Sequence, residues 1–439
     1  MLRRRQRRFD KNRCVAAFIL LCGGMSKMDE KLFFEKVSYA GGSAYLVGGA
    51  VRDMFLSGHP NDRDYVVCGM DEERFKFIFP TAFRVGKSFP VYLLRIDGVM
   101  CEVSFARRER KCGAGYRGFA VDFAPSVTIE EDLYRRDTTM NSMAYDAVSK
   151  RVIDPYGGRE DISDRVIRAT SEHFSEDPVR ALRAARQSAQ FDFSVEERTL
   201  ALMHVCCPEL LLEPSERILA ETERAVAAAK PSRYFRVLNE AGLLEPVFPW
   251  IYRLIGKTQP PEYHPEGDAF EHTMMALDYA AERTDRCEVR FAALMHDIGK
   301  GETPCEMLPH HYEHESRGLD VLAEMNKRFR FRRLWYRCAE FAIREHMRPA
   351  KLSRPSKIVD LLNMLRKHPI GCGGFSLIVA ADNKGEKAEF LDKYDLYMSV
   401  MEEADMIPIP DGMEPSVRHE WRRQREIDAV SRFINSRKI

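Results

Sequence analysis

The chain has no C-x-x-C pair, and its eleven cysteines are odd in number and irregularly spaced. That excludes a disulfide framework and a thiolate zinc site, and it points to reduced thiols in a cytoplasm. Beyond the N-terminal region no run of 18 or more apolar residues occurs, so no membrane-spanning helix is expected. A complete P-loop is missing too: Gly256-Lys257-Thr258 ends like one, but Ile251 stands where G-x-x-x-x-G-K-[ST] needs its first glycine. There is no internal repeat and no low-complexity segment. Charge of one sign is lacking overall, at a net +1. The balance conceals basic runs at Arg107-Arg108 with Arg110-Lys111, Arg135-Arg136, Lys327 to Arg333 and Arg422-Arg423, so nucleic acid is permitted as a partner without being demonstrated.

What is present is ordinary globular material. The 439 residues, 45% hydrophobic and 31% charged, suffice for two to four domains with adequate cores. MLRRRQRRFDKNR followed by CVAAFILLCGG has the basic-then-apolar order of a secretory signal, but the apolar run is short and Cys22 follows Leu21, where lipoprotein cleavage requires a small residue. Residues 1–43 are therefore read as an extension or an early start, with Met25 or Met28 as alternative starts.

The most informative stretch is YLVGGAVRDMFLSGHPNDRDYVVCG. Tyr45 to Val47 reads as a strand, Gly48-Gly49 as a turn and Ala50 to Leu56 as a helix, so backbone N–H groups at the helix start face an anion such as a triphosphate. Asp62 and Asp64 open a second apolar run, and the period of two in a strand sets both carboxylates on one face, a hard oxygen pair suited to Mg²⁺. Farther on, Val91 to Ile96 and Val99 to Phe105 are strand-like runs joined by Asp97-Gly98, a hairpin signal. In the second run Cys101, Val103 and Phe105 share one face and leave Glu102 on the other, either as a third metal carboxylate or as a solvent-facing glutamate.

After Asp177 the pattern turns helical, with Ser175-Glu176-Asp177-Pro178 supplying an N-cap and a proline at the first helical position. Gln259-Pro260-Pro261 and Pro265-Glu266-Gly267 mark a boundary, a second helical domain runs from about His264 to Lys387, and a basic helix from about Ser416 closes the chain.

LYRRDTTMNSMA, SEDPVRALRAAR and the basic, glycine-rich FARRERKCGAGYRGF, taken with the Gly-Gly and D-x-D segment, resemble the class II tRNA nucleotidyltransferases, the CCA-adding enzymes, and their poly(A) polymerase relatives. The resemblance covers roughly residues 44 to 250. It implies an α+β polymerase-beta-like head with a mixed sheet followed by an all-α region. It also implies two Mg²⁺ ions on Asp62 and Asp64, one lowering the pKa of the RNA 3′-hydroxyl and one neutralising the triphosphate. Gly48, Gly49 and Arg52 are then triphosphate positions, and Arg136 and Asp137 belong to the nucleotide-contacting segment, with Asp137 able to accept from a ribose 2′-OH. Without the resemblance, Arg135-Arg136-Asp137 reads as a surface salt-bridge cluster. Asp177 and Arg180 lie i, i+3 on one helix face. A carboxylate that accepts the exocyclic amine and a guanidinium that donates to the ring nitrogen select C and A over U and G without a template, although the pair alone also reads as a salt bridge. Arg183 and Arg186 match further nucleotide-contacting arginines. Gln187 departs from the family, which usually continues with an aromatic. The loop Arg107 to Phe119 matches the flexible loop needed for the final A.

His272, His296-Asp297 in LMHDIGKG, histidines 310, 311 and 314, His346, and Asp382 in VAADNKG follow the HD phosphohydrolase pattern. His272, His296, Asp297 and Asp382 are the expected ligands of a divalent transition metal, with Ni²⁺ a candidate. The pairing resembles multifunctional bacterial enzymes in which this domain carries phosphatase and 2′,3′-cyclic phosphodiesterase activity. The expected domains are 1–43, a head at 44–170, a neck at 171–258, an HD domain at 259–388 and a tail at 389–439. Expected partners are the tRNA 3′ end, ATP and CTP, without DNA or membrane, in a cytoplasmic monomer or homodimer. The competing readings are a poly(A) polymerase or A-adding enzyme, and an HD nucleotide phosphohydrolase with a silent RNA-binding head.

Overall fold

The computed structural model describes residues 28–58, 63–85, 90–113, 119–262, 264–383, 385 and 389–436, and its contacts divide the chain into two compact units, residues 1–213 and 214–439. Asp62 and the tip of the basic loop lie outside the described residues.

The first unit is built on a mixed seven-stranded sheet. Its strands are β1 (Ser43–Val47), β2 (Asp64–Cys68), β3 (Phe83–Arg84), β4 (Val91–Ile96) and β5 (Val99–Phe105), with a β6 (Arg108–Lys111) and β7 (Phe119–Asp122) hairpin apart from the sheet, then β8 (Ala144–Asp146) and β9 (Arg151–Ile153). The order is β3-β4-β5-β2-β1-β8-β9, with β2 and β5 parallel and the other neighbours antiparallel. The Asp97-Gly98 hairpin forms as its dipeptide predicts, with φ of 51° and 83° at the two turn residues, the left-handed conformation of a type I′ turn.

Alternation along the strands splits the core in two. Leu46, Tyr65, Val67, Cys101, Val103 and Phe105 pack on one face with Phe75, Phe79 and Tyr92. Val47, Val66 and Ala144 pack on the other against Ile129 and Leu133 of a short helix, Ile129–Tyr134. A period of two sets Asp64 on the face of Val66, and the in-register pairing of Asp64 with Glu102 brings Glu102 to that face. The buried Cys101, Val103 and Phe105 alternate with an exposed Glu102 as the pattern predicts.

Two features differ from the sequence reading. Helix α1 (Glu30–Tyr39) falls within the stretch set aside as an extension, yet Phe33, Phe34 and Val37 are buried in the head core, with Phe33 ring contacts to Tyr65 and Phe79. The head therefore begins before residue 44; an N-capping Asp29 and an amphipathic ten-residue segment were the available signals. The helix after Asp177 starts at Val179 rather than Pro178, because Glu172–Glu176 already forms a 3₁₀ turn that delivers the chain to it.

The second unit is helical. Ala269–Ala281, Cys287–Met295, Arg333–Glu345, Pro355–Lys367 and Gly371–Asp382 supply most of its core, including Val289, Phe341, Leu362, Phe375 and Val379. Pro415–Ser436 adds Val430 at the end of the chain. No helix among the described residues is long and apolar enough to cross a membrane.

Candidate functional sites

In the head, β1 hands the chain to α2 (Gly49–Leu56) through Gly48 at φ 66° and ψ −133°, a conformation glycine adopts at low cost. A Cβ on Gly48 would meet Arg136 Nη1 at 3.0 Å, and one on Gly49 would meet Arg52 Nη2 at 3.4 Å. The doublet is thus flanked by two guanidiniums, and the opening turn of α2 adds its backbone N–H groups. This arrangement suits a polyanion.

Each arginine is held in place. Arg52 donates to Asn141 Oδ1 and to Asp53 Oδ1, both at 2.8 Å, and stacks over Phe191. Arg136 pairs with Asp132 Oδ2 at 3.0 Å, while Arg135 pairs with Asp132 Oδ1 at 2.7 Å. Asp132 is fully buried, and sequence reasoning missed it; its signal was the i, i+3 and i, i+4 spacing to the arginine doublet. Burial alone would raise its carboxyl, but Arg135 and Arg136 hold it below the ordinary range.

Asp137 is also buried. Its Oδ1 accepts from Thr138 N at 2.8 Å and Asn141 Nδ2 at 3.1 Å, and its Oδ2 accepts from Arg183 Nε at 2.7 Å and Gln187 Nε2 at 3.3 Å. Both oxygens are engaged, which makes Asp137 an anchor for Arg183 more than an open acceptor for a ribose. Burial pushes its carboxyl up, and Arg183, Asn141 and the Thr138 N–H more than reverse that. Asp177 Oδ1 accepts from Val179 N at 3.2 Å at the start of the helix Val179–Phe191. Arg180, buried one turn on, donates to the His173 carbonyl at 2.5 Å and lies 3.9 Å from Glu109 Oε2. Arg186 donates to Gln190 Oε1 at 3.0 Å. At the base of the basic loop, Arg107 is paired with Glu109 and Arg108 with Glu131.

In the helical unit the four expected ligands converge. His272 Nε2 lies 3.3 Å from Asp382 Oδ1 and 3.6 Å from Asp297 Oδ2, and His296 Nε2 lies 3.3 Å from Asp297 Oδ2 and 3.6 Å from Asp382 Oδ1. A second group shares the same carboxylate: His314 Nε2 and His346 Nε2 lie 3.3 and 3.4 Å from Asp297 Oδ1. The sequence reading places these two histidines in the HD pattern without giving them a role. They stand 18 and 50 residues beyond His296, His314 at the start of the helix His314–Phe329 and His346 just past the end of Arg333–Glu345, so only the fold joins them.

The outer contacts set the tautomers. His272 Nδ1 faces Glu266 Oε1 at 2.7 Å, and the Nδ1 atoms of His296, His314 and His346 face the carbonyls of Ala293, His311 and Ala342 at 2.7 to 3.0 Å. Each Nδ1–H then donates outward and leaves an Nε2 lone pair facing in. Glu266 serves as an ionised acceptor: burial would raise it, but His272 and His264 lower it to about 2. Opposed Nε2 pairs 3.3 Å apart on either side of the buried Asp297 carboxylate call for cations between them. Lys300 Nζ approaches Asp297 Oδ2 at 2.5 Å as an ion pair and supplies only part of that charge. Burial would lower His296, yet Asp297 and Asp382 raise it to about 10, which expresses the same demand for positive charge. Nitrogen and carboxylate donors of this kind fit a divalent transition metal.

Known proteins agree with both halves. The chain matches the family model described as the poly A polymerase head domain over residues 44–168, a probable RNA- and SrmB-binding site of polymerase A over 192–254, and an HD domain over 269–393. It is 42% identical to the multifunctional CCA protein of Nitrosococcus oceani, over 78% of this chain and 84% of that one. It is 39% identical to that of Mannheimia succiniciproducens, over 87% and 96%. The fold is similar to that of the Bacillus stearothermophilus CCA-adding enzyme in complex with CTP, at TM-score 0.60 and 22% identity, covering 92% of this chain and 91% of that one. Identity at this level over most of both chains, with head and HD domain in one polypeptide, makes this chain a member of the multifunctional CCA protein family.

Proposed function

We propose that the protein adds C, C and A to the 3′ end of tRNA from CTP and ATP, with release of pyrophosphate, and that its second unit hydrolyses phosphoesters. The observation that carries the first activity is the cradle of Gly48 and Gly49 between Arg52 and Arg136, beside the Asp64 and Glu102 pair on one sheet face. Arg52 and Arg136 bind and orient the triphosphate, and nucleotidyl transfer requires little beyond such positioning. Asp62, Asp64 and Glu102 are the carboxylates to hold Mg²⁺, which activates the 3′-hydroxyl and neutralises the leaving pyrophosphate when bound. Asp177 and Arg180 read the amine and ring-nitrogen edge shared by cytosine and adenine, with Arg183 and Arg186 beside them.

The relatives' names favour this over a poly(A) polymerase or an A-adding enzyme, and the intact arginine cradle disfavours a silent head. With Mg²⁺, CTP, ATP and a tRNA lacking its CCA end, the expected product carries C, C, A; an oligo(A) tail without C would overturn the reading. In the second unit, His272, His296, Asp297 and Asp382 would hold one divalent ion and Asp297, His314 and His346 would suit a second, with Ni²⁺ among the candidates; such ions would supply the activation of water toward a phosphoester. Asp297→Ala should abolish hydrolysis of a 2′,3′-cyclic nucleotide, by at least 100-fold on a scale of about 10²–10⁴ for lost catalytic groups, and leave CCA addition intact, measured side by side on one preparation.

A further inference from the structure

Gln187, the residue that departs from the family pattern, is 1% exposed and faces the Asp137 segment from the helix Val179–Phe191. Its amide orientation is dictated by its neighbours. A carboxylate only accepts, so Nε2 must face Asp137 Oδ2, at 3.3 Å; Oε1 then faces Thr138 Oγ1, at 2.8 Å, and the hydroxyl must donate to it. The alternative acceptor for that hydroxyl, Asp137 Oδ1, is 3.5 Å away and does not compete. The proton order is thus fixed from Thr138 through Gln187 to Asp137.

What Asp137 holds makes this order consequential. Its Oδ2 takes Arg183 through both Nε and Nη2, at 2.7 and 2.6 Å, and its Oδ1 takes Asn141 Nδ2, whose own Oδ1 receives Arg52 Nη1 at 2.8 Å. Asp137 therefore ties together two arginines on the nucleotide side of the head, and Gln187 with Thr138 forms the polar backing of that carboxylate. We infer that Gln187 is a positioning residue for the nucleotide: acting through Asp137, it sets Arg183 and the Asn141 to Arg52 link, and in this chain the Thr138 and Gln187 pair does a task that an aromatic at 187 cannot. The inference rests on the nucleotidyltransferase reading above.

The test uses the full chain and separates packing from positioning. Gln187→Met keeps length and volume but removes both bonds; it should raise KM for both CTP and ATP about two- to tenfold, the net worth of one such hydrogen bond, with kcat changed less, and the rise should persist at temperatures well below the variant's unfolding midpoint. Thr138→Val, nearly isosteric, should raise KM in the same direction, Thr138→Ser should restore it, and the double variant T138V/Q187M should be no worse than Q187M alone. Wild-type KM values in Q187M would overturn the inference and make Gln187 core filler. Should Q187M fail to fold, Thr138→Val and Thr138→Ser decide alone: equal KM values in the two overturn it. Wild-type protein that incorporates no C or A would sink the functional reading instead, so the two failures are distinguishable.

Discussion

Charges at single residues divide into those that hold arginines and those that await cations. Asp132 and Asp137 are of the first kind, both buried and both held below the usual carboxylate range by their arginines. For a carboxyl depressed in the folded state, the stabilisation is present above the unfolded pKa, near 4, and is lost as pH falls through the folded value. Acidification below about pH 4 should lower stability by up to roughly 1.4 kcal/mol per pH unit for each carboxylate until its folded value is reached, and Asp137→Asn should flatten the slope in chemical unfolding of the full chain. At this scale the candidate sites were most legible where converging groups lie close along the chain, as at His296-Asp297, or close beside a marked turn, as at Arg52 next to the glycine doublet. They were least legible where a residue acts through others: Asp132 behind the arginines, Glu266 behind His272, and His314 and His346, which meet Asp297 only after the helices pack.

Elements were legible in proportion to how local their signals are. The β4 to β5 hairpin formed at the residues its turn dipeptide marks, and β1, Gly48 and α2 followed the strand-turn-helix order. By contrast, α1 was set aside, because its amphipathic stripe follows a basic and apolar leader and points to no partner until the sheet exists. The 3₁₀ turn Ile298–Glu302 after the HD doublet depends on a contact invisible in the sequence: a Cβ on Gly299 would lie 2.0 Å from the His314 carbonyl oxygen and 2.4 Å from Gly318 N. That glycine lets the Asp297 turn sit directly on the helix that carries His314. Gly299→Ala should destabilise the second unit by about 3 kcal/mol, the upper range for overpacking, and reduce hydrolysis more than CCA addition; calorimetry and the paired assays check it.

Across the whole molecule, each of two compact units carries a candidate site with its own donor chemistry, the Asp64 and Glu102 pair in the first and the histidine and aspartate cluster in the second. Oxygen-only carboxylates in the head suit Mg²⁺, whereas imidazoles dominate the second unit and suit a transition metal. Removal of all metal with a chelator should stop both activities, and addition of Mg²⁺ alone should restore nucleotide addition without restoring hydrolysis; recovery of both with Mg²⁺ would contradict the separation. The α+β head followed by helices was readable from motif order, while the division of the chain between Glu213 and Pro214 was not, because it follows contact density rather than composition.

Asp297 sits between both histidine pairs and offers one oxygen to each. A hydrolytic centre built on these groups would have a single point of failure: one substitution at Asp297 would disable both histidine pairs at once.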